Sequence, residues 1–130
     1  MEEILYDPKK NEFRGKDYLG VFLSMDKGTK HETIAAIKGF MERNAYYMTA
    51  SQLRNIFARL QARRDDPSAL PLIRVKLAYI QGRTDRRNKG MLLLLECLDE
   101  MMKRIVPERE NEDSRRLLKS LLAFIVAILA

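Results

Sequence analysis

The sequence predicts an all-α fold: a compact bundle of about five helices with short loops, preceded by an irregular N-terminal arm. Three observations carry that expectation. Apolar residues recur at three- and four-residue spacing in the long segments after residue 28. No segment alternates with a period of two, and no Asn-Gly or Asp-Gly pair separates two apolar runs as a hairpin turn would. Helix-start and helix-stop residues fall where the periodicity begins and ends. With 130 residues, 46% of them apolar, the chain suffices for one domain whose core needs neither disulfide nor metal. Residues 1–28 are then the arm and residues 29–130 the bundle.

The arm mixes the apolar clusters Ile4-Leu5-Tyr6 and Tyr18 to Leu23 with Pro8, Gly15, Gly20 and Gly28. No period is sustained there, so an extended or partly helical segment lying on the domain is expected. Thr29-Lys30-His31-Glu32 reads as a capping box, in which the threonine accepts from the third backbone N–H and Glu32 reaches back. Ile34, Ile37, Phe40 and Met41 carry that helix to a stop at Asn44.

A second capping box, Thr49-Ala50-Ser51-Gln52, opens a helix whose Leu53, Ile56, Phe57 and Leu60 form one buried stripe. At about 100° per residue, Arg54 and Gln61 border that stripe on one side, and Gln52, Arg59 and Arg63 on the other. Asp65-Asp66-Pro67-Ser68 is a turn carrying a helix-compatible proline. From Leu72 to Ile80 the next helix is apolar nearly all round: Leu70, Ile73, Leu77 and Ile80 on one side, Leu72, Val75 and Tyr79 on the other. Such a helix is usually the most buried of its bundle. Lys76 and Arg83 share its one remaining side, and Gly82 is expected to end it as a left-handed cap.

Arg83 to Gly90 reads as a basic loop and Met91 to Val106 as a helix stopped by Pro107, with Leu94, Leu95, Leu98, Met101, Met102 and Ile105 on a wide apolar face. Glu108 to Asp113 is an acidic connector. A last, strongly apolar helix starts near Asp113 or Ser114 and runs to the end.

Several function classes are disfavoured. One cysteine, Cys97, and one histidine, His31, give no disulfide and too few soft ligands for a zinc site. Cys97 sits on the apolar face of its helix and reads as core, while His31 lies inside a capping box. There is no phosphate-binding glycine loop, nucleophile elbow or two-histidine metal motif, so neither catalysis nor a cofactor is expected. The apolar tail Leu121 to Ala130 is ten residues long, where a membrane span needs roughly 20. A soluble, cytoplasmic protein is expected.

Charge supplies the positive signal. Residues 43 to 90 hold eleven Lys or Arg against three acids, a net of +8, and the two ends together carry −2 of the overall +6. A basic block between near-neutral flanks suits a polyanion, because neutralised phosphates release counterions. Lys76 stands on an otherwise apolar helix, where its ammonium must reach water or an anion. Gln52 has a second explanation as the distal member of a capping box. On these residues alone two other classes stay open: a small helical DNA-binding regulator whose Thr49 helix enters a groove, and a protein-interaction adapter docking through the apolar surplus of its C-terminal helix.

Thr49-Ala-Ser51-Gln52-Leu-Arg54, followed by Arg74-Val-Lys76-Leu-Ala-Tyr79 and Gly82-Arg83, resembles the paired signature of the small subunit of type III-A CRISPR effector complexes, the second subunit of the Csm complex. The family's usual pattern is T-x-S-Q-x-R at a helix start, with K-P-K-L-A-Y and G-R about 20 to 30 residues later. The resemblance covers residues 49 to 83, about a quarter of the chain. Val75 stands where the family carries proline, and Arg74 where lysine is common. Ala123-Phe-Ile-Val-Ala resembles the family's E-A-I-V-A-Y, with Ile128, Leu129 and Ala130 in place of polar and aromatic residues.

The resemblance implies a non-catalytic, RNA-associated subunit, stacked in several copies of itself along guide RNA and target RNA. Its other partners would be the backbone-forming subunit that cleaves target RNA and the large polymerase-like subunit. Base pairing supplies specificity in such an assembly, so the protein's phosphate contacts position the strand without reading it. The candidate RNA-binding residues are Arg54, Lys76 and Arg83, with Gln52, Arg59 and Arg74 behind them.

Overall fold

A computed structural model describes residues 4–15, 17–45, 50–64, 66–105 and 112–129. Its helices are α1 (Tyr18–Phe22), α2 (His31–Asn44), α3 (Ala50–Ala62), α4 (Leu70–Arg83), α5 (Lys89–Lys103) and α6 (Glu112–Leu129). The five long ones, α2 to α6, are the five that periodicity predicts. The sixth, α1, is a single turn inside the arm.

The arm is more regular than its sequence suggests. Strands β1 (Tyr6–Asp7) and β2 (Glu12–Phe13) pair antiparallel, Tyr6 opposite Phe13 and Asp7 opposite Glu12. The turn between them is closed by Asp7 Oδ1, which accepts the Lys9 N–H at 3.0 Å, and by Asn11, whose φ of 52° only Gly, Asn and Asp visit readily. Two-residue strands are too short to show alternation, which is why the ladder left no period-two signal.

Aromatic rings fix this hairpin to the bundle. Phe13 stacks on Phe40 of α2 at 5.3 Å and meets Phe22 of α1 edge-on at 5.4 Å; Phe22 stacks on Phe124 of α6 at 4.8 Å. Leu5, Tyr6, Phe13, Phe22, Leu23 and Met25 are therefore members of the same core cluster as the bundle helices, and the arm is an integral part of the domain. A second tie joins the 3-10 turn at Met25–Lys27 to α6: buried Ser120 donates to Asp26 Oδ1 at 2.8 Å and accepts the Asp26 N–H at 3.0 Å. Using both its donor and its acceptor is what lets that hydroxyl sit in an apolar helix face.

Helices α5 and α6 are the centre of the bundle. Helix α6 packs on α3, α2, α1 and the 3-10 turn, and α5 packs on α4, α2, α1 and α6. The apolar surplus of α6 is internal: Leu118, Leu121, Phe124, Ile125 and Ile128 are all buried. Among its described large apolar residues only Val126 is exposed, so the C-terminal helix does not offer the dock expected of it. Among the described residues, no helix is long and apolar enough to cross a membrane.

Four local expectations are corrected. Helix α2 starts at His31 with Lys30 as its extended N-cap, because the first i→i−4 bond runs from Ile34 N to Lys30 O at 3.1 Å. Thr29 is thus one residue too early to form a capping box with Glu32, and no side chain caps this helix. Helix α5 starts at Lys89, two residues before Met91, since Asn88 supplies the N-cap and accepts the Met91 N–H at 3.2 Å. Gly82 lies inside α4 and is not left-handed. Thr84 ends that helix in an extended conformation, its hydroxyl donating to Ile80 O at 2.7 Å. Helix α5 also ends at Lys103 with Arg104 as its C-cap, short of the Val106 expected, while Pro107 and the Thr49 capping box lie outside the described residues.

Candidate functional site

Helix α4 is where the structure departs most from expectation. Its 3–4 stripe of Leu70, Ile73, Leu77 and Ile80 is buried, but Leu72, Val75 and Tyr79 are 78%, 67% and 55% exposed. It is therefore not the most buried helix. Among the described residues its main helical neighbours are α3 and α5, which cover one side and leave the other, with Leu72, Val75 and Tyr79, exposed.

Lys76 and Arg83 lie on the border of that open side. They are seven residues apart, about two turns or roughly 10 Å along the axis. Tyr79 falls between them, three residues after Lys76 and four before Arg83, the spacings at which helical side chains meet. The Lys76 ammonium sits 5.4 Å from the centre of the tyrosine ring and the Arg83 guanidinium carbon 5.3 Å from it. Arg83 Nη1 also donates to the Tyr79 hydroxyl. One exposed ring thus holds two cations in a row, at about 0.5–1 kcal/mol for each exposed cation–π contact. Sequence reading paired the cations but missed the tyrosine, although its spacing was the available signal.

The other candidates divide among three places. On α3, Leu53, Ile56 and Leu60 are buried. Arg59 and Arg63 lie on the edge that meets α4, where with Leu72 and Ile73 they line a cleft of about 450 Å³. Lys76 continues this edge, one turn beyond Leu72 and Ile73. Arg59 is steadied by Asn55, whose Oδ1 accepts from Nε at 3.1 Å. Gln52 is half-buried on the same α3 edge. Arg54 is exposed on the opposite edge, about 140° round the helix from Arg59.

Arg74 serves a different purpose. Its Nε donates to Asp99 Oδ1 of α5 at 2.8 Å, and this bond holds the guanidinium pKa above its ordinary value. Asp99 lies 25 residues away in sequence, so nothing local announced the pair. Arg74 bridges α4 to α5 and is turned away from the open side. The structure therefore brings Lys76 and Arg83 together on the Tyr79 ring, places Arg59 at the neighbouring α3–α4 cleft, and sets Arg54 and Arg74 apart.

Chemically, this surface offers fixed positive charge and an aromatic face. The groups that could have done acid–base or nucleophilic work lie elsewhere. Burial pushes the Cys97 thiol far up, away from the reactive thiolate. His31 is exposed at the first turn of α2. Asp99 and Glu100 are bonded to Arg74 and Lys103. Among the described residues, no group of three or more His, Cys, Asp or Glu is placed to hold a metal ion. Comparison with family models, with curated proteins and with solved structures finds no match to this chain.

Proposed function

We propose that this protein is a non-catalytic, RNA-associated subunit of a type III-A CRISPR ribonucleoprotein, contacting strand phosphates through the open side of α4. The observation that carries this reading is the Lys76–Tyr79–Arg83 row, two cations laid along one exposed ring beside the Arg59 edge of α3. These are among the residues on which the family resemblance rests. Phosphate contacts of this kind position a strand and leave sequence recognition to base pairing. In the assembly the chain would work as several stacked copies along guide and target RNA, inside the cytoplasm and beside the other subunits.

Co-expression with the effector subunits and a guide RNA tests this. Recovery of the guide with the tagged chain only when the other subunits are present is the expected result. Tight, sequence-dependent binding of duplex DNA by the isolated chain would instead establish the regulator.

The adapter reading keeps one specific observation in its favour, with its dock relocated from α6 to α4. Leu72 and Val75 form an outward apolar pair of the kind that marks protein contacts. Replacing both with Glu would abolish partner capture under that reading, whereas charge reversal at Lys76 and Arg83 would leave it intact.

A further inference from the structure

A second basic site lies away from α4. A cleft of about 220 Å³ opens where the last turn of α2 meets the start of α5. Its charged lining is entirely cationic: Arg43 from α2, Arg87 from the α4–α5 loop and Lys89 from the first turn of α5. The remaining described lining residues are asparagines and Gly90. Arg43 and Lys89 are exposed, and Arg87 is held by Asp85, which accepts from Nε at 3.3 Å and from Nη2 at 3.1 Å. Among the described residues no salt bridge engages Arg43 or Lys89.

The wall of the cleft is rigid and polar. Asn44 is 4% exposed and forms a reciprocal amide pair with Asn11, each Nδ2 donating to the other's Oδ1 at 2.9 Å. Asn44 Nδ2 also donates to Phe40 O at 2.9 Å. Gly90 makes room for this carboxamide, since a Cβ there would lie 2.2 Å from Asn44 Oδ1. The 15-residue α5 adds backbone donors: Leu92 N is the first to bond back into the helix, to Asn88 O at 3.2 Å, so the N–H groups of Lys89 and Gly90 precede the first intrahelical donor.

We propose that this cleft binds a phosphate group, independently of the α4 face. Guanidinium and ammonium donors converging with helix-start N–H groups match a tetrahedral oxyanion. The volume falls below the roughly 300–1,000 Å³ of pockets for drug-sized ligands, which selects a compact anion over a whole nucleoside. Its source is either free orthophosphate or a phosphate of an RNA strand.

Calorimetric titration of the full chain with orthophosphate at fixed ionic strength tests the site. Arg43→Gln with Lys89→Gln should weaken binding at least about tenfold, the scale of one lost charge-assisted hydrogen bond. Lys38→Gln with Lys119→Gln, at exposed positions outside the cleft lining, removes the same net charge and should leave it unchanged. Equal weakening in both double variants, or no more heat from phosphate than from chloride, would overturn the proposal. Thermal melting in chloride checks that each variant folds, and Arg43→Lys with Lys89→Arg should retain binding. A 5′-hydroxyl RNA decamer distinguishes the source: displacement of orthophosphate that depends on Arg43 and Lys89 upholds the site for a strand phosphate, and absence of displacement upholds it for the free ion. Because no α4 residue is altered, this test can fail or succeed whatever becomes of the RNA-subunit reading.

Discussion

Two glycines on helices should respond to alanine in opposite directions. Gly90→Ala puts a Cβ 2.2 Å from Oδ1, 2.5 Å from Cγ and 2.8 Å from Cβ of Asn44. Asn44 cannot yield cheaply, because it is buried and bonded to Asn11 and Phe40. Overpacking costs about 1–3 kcal/mol, and each of one or two broken hydrogen bonds adds about 1 kcal/mol. The gain in helix propensity returns up to about 1 kcal/mol, so a net loss of about 1–4 kcal/mol is expected. Gly82→Ala meets nothing within 4 Å and should gain about 0.5–1 kcal/mol from reduced unfolded-state freedom. At about 4 °C per kcal/mol for a domain of this size, Gly90→Ala should melt about 4–16 °C lower and Gly82→Ala about 2–4 °C higher than the parent. Circular dichroism melting and urea titration read both, with unchanged m-values confirming that the folded state is the same. A Gly90→Ala chain as stable as the parent would refute the packing of α5 against α2.

The orientation of α4 gives a second pair: Leu77→Ala, at a position with no exposure, should cost about 2–5 kcal/mol, whereas Leu72→Ala should fall within about 0.5 kcal/mol of the parent. Urea midpoints in the reverse order would mean that the buried side has been misassigned. A third prediction concerns acid. The hydrogen bond from Arg104 Nη1 to Asp17 Oδ1, 2.6 Å, holds that carboxyl below its usual range. Its contribution is full above the unfolded value of about 4 and is lost as pH falls through the lower folded value. Melting curves of Asp17→Asn and the parent should therefore differ above about pH 5 and converge as pH falls through the lower folded value; a constant offset would contradict the linkage.

The helices were legible because burial of one face leaves a 3.6-residue period that needs no partner to be seen. Leu53, Ile56 and Leu60 on α3, and Leu94, Leu98 and Met101 on α5, are buried as their spacing requires. The side of α4 that faces water was not legible: with apolar residues on both sides, only the positions of α3 and α5 decide. The hairpin was hidden because its two-residue strands are too short to show a period and because Phe13 is anchored by Phe40 of α2, 27 residues later. Asn44 read as a simple helix stop because Asn11, 33 residues earlier, is what makes it a buried polar hub. At the α4 site, Lys76 and Arg83 could be read from their shared side, while the diversion of Arg74 to Asp99 required the fold.

The central claim is that Lys76 and Arg83 contact phosphate without supporting the fold. A salt titration of guide-RNA affinity in the assembled complex, for the parent and for Lys76→Glu with Arg83→Glu, tests it most directly. The double variant should remain folded and bind more weakly, with the slope of log affinity against log salt reduced by about 1.4 for two lost single-strand phosphate contacts. Equal affinity and equal slope across the titration would contradict the claim.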